Sequence, residues 1–287
     1  MSTIERVGVI GGGVMGSGIA EVCARAGLDV VLCELDEGAA QKALARIERS
    51  FGRGVKAGKL TEEDVSAATG RLHLVTSLDA MRDRQLTIEA VTEDEPLKVE
   101  IFRRLDFVVA DADAILASNT SSIPIMKLAM ATKRPESVVG MHFFNPVPVL
   151  PLVELISSLL SSDWTIERSQ EFAESALHKT VIRSGDRAGF IVNALLIPYL
   201  LSAIRMSESG FATPEDIDRG MVLGCAHPLG PLALSDLIGL DTVQAVAESL
   251  YDEFKEQLYA PPPLLLRMVD AGLLGRKSGR GFFTYPG

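Results

Sequence analysis

Long apolar runs are missing from this sequence. No stretch reaches the roughly 18–20 residues that a membrane-spanning helix requires, so no membrane partner is expected. Basic charge is also short: 28 lysines and arginines stand against 38 acids, a net charge of −10. No basic run breaks that balance, which argues against a nucleic-acid surface while leaving room for local phosphate pockets. Cysteine is scarce. Cys23, Cys33 and Cys225 form an odd set without close pairing or metal-ligand spacing, which predicts reduced thiols, no metal site and a cytoplasmic setting. The opening MSTIERVGVIGGG passes directly into an apolar run, without the charged and apolar regions of a secretory leader. There is no low-complexity segment and no internal repeat. What is present, 287 residues of which 47% are apolar, suffices for one large or two ordinary domains with a proper core.

The first part of the chain alternates. Residues 6–10 are a β-branched run, glycines follow at once, residues 14–26 have helical spacing, and residues 29–33 are a second apolar run ending at Glu34. The turn reads G-x-G-x-x-G at Gly11, Gly13 and Gly16. Alone that motif is weak. Between a strand and a helix it is strong: the first glycine permits a tight turn, the second lets a pyrophosphate approach, and the third lets helix pack on strand. Val14 and Met15 open the helix, whose free N–H groups and dipole suit phosphate. Glu34 lies 23 residues after Gly11, the place for an acid that binds the adenosine ribose and repels a 2′-phosphate. NAD is therefore expected rather than NADP. The plainer alternative is a glycine-rich turn without ligand.

Further strands are expected at 72–75, 86–91, 114–117, 138–141 and 152–156, with helices at 39–51, 97–109 and 164–177 and another strand at 180–183. Such alternation predicts a parallel, doubly wound α/β sheet with ligands beyond its strand C-termini. After residue 185 the strand pattern stops. Helical spacing at 190–209, 216–223, 240–254 and 264–271 predicts an all-helical C-terminal domain, with Thr213 and Pro214 as helix start signals. The expected division is 1–185 and 186–287. The helical part has more apolar surface than a small bundle needs, which suggests a homodimer.

One histidine stands out. His142, in GMHFFNP, falls at the end of a predicted strand, where ligands bind. A lone histidine is more often structural than catalytic. Yet Glu154 follows 12 residues later inside the apolar LPLVELI, and a lone acid there is costly to bury unpaired. A buried His142–Glu154 pair explains both, and an imidazole that titrates near neutrality is a suitable general base. Asn119 and Ser121, in ASNTSS, suit hydrogen bonds to a substrate oxygen or a carboxamide, or equally an ordinary turn and helix cap. Asn193, after GFIV, faces either a cleft or a core.

Together these segments resemble the short-chain L-3-hydroxyacyl-CoA dehydrogenases, also called 3-hydroxybutyryl-CoA dehydrogenases. The resemblance runs nearly end to end: VGVIGGGVMGSGIA, IEAVTED, ASNTSS, GMHFFNPVPVLPLVE, GFIVN, DIDRGMVLGCAHPLGPLALSDLIGLD and GRKSGRGFFTY. It implies a Rossmann-type domain followed by a helical dimerisation domain, NAD as cofactor and an acyl-CoA thioester as substrate. It implies His142 as catalytic base, Glu154 as its paired acid, Ser121 as a contact to substrate and cofactor, and Asn193 as a substrate-orienting group. Glu93, Lys98, Asn145 and Lys277 match cofactor-contacting positions, beside Asn119 and the glycine turn. Ser50 and Lys56 fall where the family contacts the CoA portion. Two departures stand out: Asp94, Glu95 and Pro96 intervene where the family usually has Asn-Leu, and Pro151 replaces a common lysine before the LVE segment. The resemblance implies a short acyl chain, with acetoacetyl-CoA as the oxidised substrate, and leaves open fatty-acid β-oxidation, butanoate metabolism or polyester and lipid precursor supply as the pathway. Two alternatives are a sugar-acid (L-gulonate-type) dehydrogenase on the same scaffold and a non-catalytic, crystallin-like NAD(H)-binding protein. The second has no need of Ser121, His142, Glu154 and Asn193 together.

Overall fold

The computed structural model describes residues 3–285. The chain divides into two compact units, residues 1–186 and 187–287.

In the first unit, β1 (Arg6–Ile10), α1 (Val14–Arg25) and β2 (Asp29–Cys33) follow one another directly. The helices α2 (Glu37–Lys56) and α3 (Glu62–Thr69) lead to β3 (Leu72–Val75). The chain then crosses to the other side of β1 with β4 (Leu86–Glu89), α4 (Glu95–Val108), β5 (Ile115–Ser118), α5 (Ile125–Ala129) and β6 (Val138–Phe143). It closes with β7 (Leu152–Ser157), α6 (Asp163–Glu171) and β8 (Thr180–Gly185). The strand order is β3-β2-β1-β4-β5-β6-β7-β8. The order reverses between β1 and β4, and a doubly wound sheet receives its ligand in the crevice outside the strand ends at that point.

Local chemistry fixes the helix starts. The Asp36 carboxylate accepts the Ala39 N–H at 2.8 Å and begins α2, and Thr61 with Asp64 forms a capping box on α3. Asp94 accepts the Leu97 N–H at 2.8 Å, and Pro96 lies in the first turn. The Asp94-Glu95-Pro96 departure is thus a helix start. Glu95 also pairs with Lys127 at 2.7 Å.

One strand pairing differs from the parallel expectation. β6 and β7 are antiparallel, while the other neighbouring pairs of the sheet are parallel. The reason is the short link of residues 144–151, too brief for the crossover that parallel neighbours require. β6 is buried throughout.

The second unit holds α7 (Val192–Glu208), α8 (Pro214–Cys225), α9 (Pro231–Ile238), α10 (Leu240–Phe254) and α11 (Pro263–Asp270). Thr213 caps α8 as its sequence predicts, but that helix runs on past residue 223 until Ala226 turns left-handed at φ 56°. Its core is built around Leu200, Ile204, Leu232, Val243, Leu250 and Leu265, all fully buried. Among the described residues, no helix is long and apolar enough to cross a membrane.

Candidate active site

The glycine turn is shaped as its spacing predicts. Gly11 takes φ +92°, where side chains are disfavoured. A Cβ on Gly16 would stand 1.7 Å from the Gly11 carbonyl oxygen, so helix and turn touch there. A Cβ on Gly13 would meet nothing within 4 Å. That open space lies at the start of α1, which no side chain caps and where Val14 is exposed and Met15 half-buried. Glu34 follows β2, and its carboxylate accepts the Gly12 N–H at 2.6 Å and the Leu35 N–H at 3.2 Å. Arg46 donates to the Gly12 carbonyl at 3.2 Å. A backbone cradle open at a helix N-terminus, with an acid at the end of the neighbouring strand, fits the pyrophosphate and adenosine ribose of NAD.

The antiparallel register places His142 opposite Glu154. His142 Nδ1 and Glu154 Oε2 are 2.8 Å apart, and the carboxylate is completely buried. A carboxylate only accepts, so Nδ1 carries the proton and Nε2 presents its lone pair. Nε2 lies 3.1 Å from Ser121 Oγ, in the turn after β5. The Phe144 ring packs against the imidazole at 4.6 Å between centroids. Asn119 has its amide oxygen on the Phe143 N–H at 2.8 Å, tying the serine turn to the histidine strand. The geometry brings His142, Glu154, Ser121 and Asn119 together.

Beside them is a network that is only half visible in sequence. Lys98 is fully buried, with its Nζ 2.7 and 2.9 Å from the two oxygens of Glu89 and 3.3 Å from Glu93. The other Glu93 oxygen accepts from the Thr120 hydroxyl at 2.5 Å, the Ser121 N–H at 2.9 Å and the Ser122 N–H at 3.1 Å. Burial pushes the Glu93 carboxyl up, but the Lys98 charge and the bonds from Thr120 and Ser121 outweigh it and hold the group below its ordinary value. Ser118 and Thr120 belong to the ASNTSS strand end, where ligands are expected, whereas Glu89, inside IEAVTED, has no role that its motif assigns.

A cleft of about 550 Å³ runs along α1 and α2 to Asn145 and Val149 of the β6–β7 link. Arg25, Arg46, Arg49, Arg53 and Lys59 line it. Three of these recur along one side of α2, a spacing that brings helical side chains onto one face. Ser50 lines the cleft, but Lys56 does not and is exposed at the end of α2. Glu21, also in the lining, is 2% exposed. Burial pushes its carboxyl up, against the opposing pull of a Ser50 hydrogen bond and of Arg25 and Arg53.

The remaining predicted residues belong to the helical unit. Asn193 is half-buried in the first turn of α7, after Gly189 and Phe190 at φ 73° and 49°. Lys277 pairs with Asp241 at 2.5 Å. Among the described residues, no group of three or more His, Cys, Asp or Glu is placed to hold a metal ion.

Known proteins resemble this chain from end to end. Residues 6–187 match the family model described as 3-hydroxyacyl-CoA dehydrogenase, NAD binding domain, and residues 189–285 match its C-terminal domain. A 3-hydroxybutyryl-CoA dehydrogenase of Mycobacterium tuberculosis is 60% identical over 282 residues, covering 98% of this chain and 99% of that protein. The solved structure of M. tuberculosis FadB2 superposes with a TM-score of 0.98 at 59% identity, over 99% of this chain and all of the other. The structure of (S)-3-hydroxybutyryl-CoA dehydrogenase PaaH1 from Ralstonia eutropha gives 0.93 at 47% identity, with coverage of 99% and 100%.

Proposed function

The chain belongs to the 3-hydroxyacyl-CoA dehydrogenase family, and from that premise we propose that it interconverts a short-chain L-3-hydroxyacyl-CoA, such as 3-hydroxybutyryl-CoA, with its 3-ketoacyl-CoA, using NAD. The observation that carries this reading is the His142–Glu154 pair, with Nδ1 on a buried carboxylate and Nε2 turned to Ser121.

NAD, when bound, would supply the hydride-accepting chemistry at the substrate C3 and its reverse. Gly11, Gly13, Val14, Met15 and Gly16 would hold its phosphates, and Glu34 its ribose. Asn119, Asn145 and Glu93 form the further cofactor surroundings; Lys98 is fully enclosed behind Glu93, with its ammonium on Glu89 and Glu93. His142 Nε2 takes the 3-hydroxyl proton as the carbonyl forms. Glu154 steadies the imidazolium through Nδ1, since a positive ring beside a buried carboxylate restores charge balance. Ser121 orients the reacting oxygen beside Nε2. In the reverse direction, protonated His142 gives the proton to the 3-keto oxygen.

The basic cleft takes the phosphate-bearing part of CoA, with Arg46, Arg49 and Arg53 beside Ser50. Arginine forks match phosphate geometry well. That cleft favours a CoA thioester over a free sugar acid, which carries no phosphate. Leu195, Phe211, Leu223 and Leu237 of the helical unit are exposed apolar side chains, and they support a homodimer through this unit, which sedimentation at graded concentration tests. The three free thiols support a cytoplasmic location.

The test is NADH oxidation with acetoacetyl-CoA, run beside NADPH and longer 3-ketoacyl-CoA thioesters. NADH-dependent turnover that falls with chain length is the expected result. Tight NADH binding without turnover of any thioester would sink the reading.

A further inference from the structure

Glu89 has no part in the chemistry above, yet it is completely buried at the last position of β4. Both its oxygens are fully used. Oε1 accepts from the Val91 N–H and from Lys98 Nζ, each at 2.7 Å. Oε2 accepts from Lys98 Nζ at 2.9 Å and from the Ser118 hydroxyl at 2.6 Å. Lys98 therefore sits between two carboxylates and lies closer to Glu89 than to Glu93. Glu93 in turn spends one oxygen on four donors of the 120–122 turn: the Thr120 hydroxyl, the Ser121 N–H, the Ser122 N–H and the Ser122 hydroxyl. That turn carries the Ser121 hydroxyl that meets His142 Nε2.

We infer that Glu89 is a positioning residue for the Ser121–His142 contact: by taking up the Lys98 ammonium, it leaves the Glu93 carboxylate to gather the 120–122 turn and fix Ser121 against the imidazole. The inference rests on the dehydrogenase reading of this site.

The chemistry turns on donors and acceptors. Every contact to Glu89 comes from a donor, and a buried ammonium needs an anion nearby. In Glu89→Gln, the amide oxygen can still face Val91 N–H, but the amide N–H₂ then points at the Lys98 ammonium. Two donors repel, and Lys98 moves to its remaining anion, Glu93. The Glu93 carboxylate turns toward the ammonium and releases the serine turn. In the double variant E89Q/K98M no ammonium is left to compete. The amide then accepts from Val91 and donates to the Ser118 oxygen, and Glu93 keeps its four donors. A role limited to packing α4 on the sheet predicts the opposite order, with two lesions worse than one.

The experiment compares wild type, E89Q, K98M and E89Q/K98M as full chains, in NADH-dependent reduction of acetoacetyl-CoA and by histidine-selective ¹⁵N NMR, which the four histidines make resolvable. The expected result for E89Q is a kcat lower by about tenfold to a hundredfold, the cost of a small misplacement in the catalytic group, with thioester KM little changed and the His142 ring signals displaced. In E89Q/K98M, kcat and the His142 signals move back toward wild type. Wild-type kcat in E89Q, or a folded double variant as slow as E89Q, overturns the inference. If E89Q does not fold, the double variant decides: it is expected to exceed K98M, which leaves Glu89 buried and unpaired, and a slower double variant overturns the inference. Failure of the wild type itself to reduce acetoacetyl-CoA would instead sink the dehydrogenase reading. The ring signals then still decide the role of Glu89: return in the double variant supports it, and no displacement in E89Q overturns it.

Discussion

His142 and Glu154 face each other directly across the antiparallel β6–β7 pair, and their side chains close to 2.8 Å on that register. A slip of one residue would turn Glu154 to the other face of the sheet. The link of residues 144–151 therefore does more than reverse the chain: it sets which acid meets the imidazole. His142→Gln is expected to lower kcat by roughly 10²–10⁴-fold, the usual share of a positioned base. Glu154→Gln is expected to fall in the same range, because the amide cannot balance an imidazolium. NADH affinity, read by fluorescence titration, stays near wild type in both. Turnover near wild type in His142→Gln would refute the base.

The glycine turn separates folding from cofactor binding. Gly16→Ala forces a Cβ to 1.7 Å from the Gly11 oxygen, and the turn and helix must part. A loss of about 1–3 kcal/mol is expected, as for other overpacked sites, visible as a lower Tm. Gly13→Ala meets open space in the free protein and is expected to leave Tm within a degree or two. Its methyl occupies the room at the helix start, so NADH affinity is expected to fall at least roughly tenfold, or about 1.4 kcal/mol. Unchanged affinity in Gly13→Ala would move the pyrophosphate away from this turn.

Much of this was legible in the sequence because the signals were local. A β-branched run before G-x-G-x-x-G, with an acid at Glu34, specifies strand, turn, helix and strand within about 30 residues. The His142–Glu154 pair was legible because an acid in an apolar strand demands a partner. The direction of β7 was not, since a repeating strand–helix pattern suggests parallel strands and only the brevity of residues 144–151 argues otherwise. Helices α3 and α9, eight residues each, lie outside the stretches that helical spacing picks out. Glu89 was invisible because its role depends on Lys98 reaching back from the next helix. The arginine face of α2 is legible at positions 46, 49 and 53 from their helical spacing, and Lys56 lies outside the cleft they line.

Those arginines give the next prediction. They line the cleft without a catalytic group among them, so they bind ground state and transition state alike and should act on KM. Arg49→Ala and Arg53→Ala are each expected to raise the acetoacetyl-CoA KM by roughly tenfold, the scale of one lost charge-assisted bond, with kcat nearly unchanged. The truncated thioester acetoacetyl-N-acetylcysteamine, which lacks the phosphates, should not distinguish these variants from wild type. Equal losses with both substrates would place the CoA phosphates elsewhere.

Acid stability should report the Glu93 anchor. Its carboxyl is held below the ordinary value of 4.5, because Lys98 and the serine-turn donors outweigh the effect of burial. A lowered carboxyl means that the folded chain binds fewer protons than the unfolded chain through the window below 4.5. The stabilisation is therefore complete above that pH and drains away as pH falls through the window toward the folded value. Glu21 acts in the opposite sense and in a different window. Burial raises its carboxyl, so its ionisation costs stability as pH rises from 4.5 to its folded value. Thermal melts between about pH 6 and pH 3 separate the two. The Tm gap between wild type and Glu93→Gln is expected to be constant above pH 4.5 and to shrink below it. For Glu21→Gln, the advantage of the variant should grow above pH 4.5 and vanish beneath it. A Glu93→Gln gap that stays constant down to the acid end would mean that the carboxylate does not hold the 120–122 turn in its charged form, and the path from Lys98 to Ser121 would fail with it.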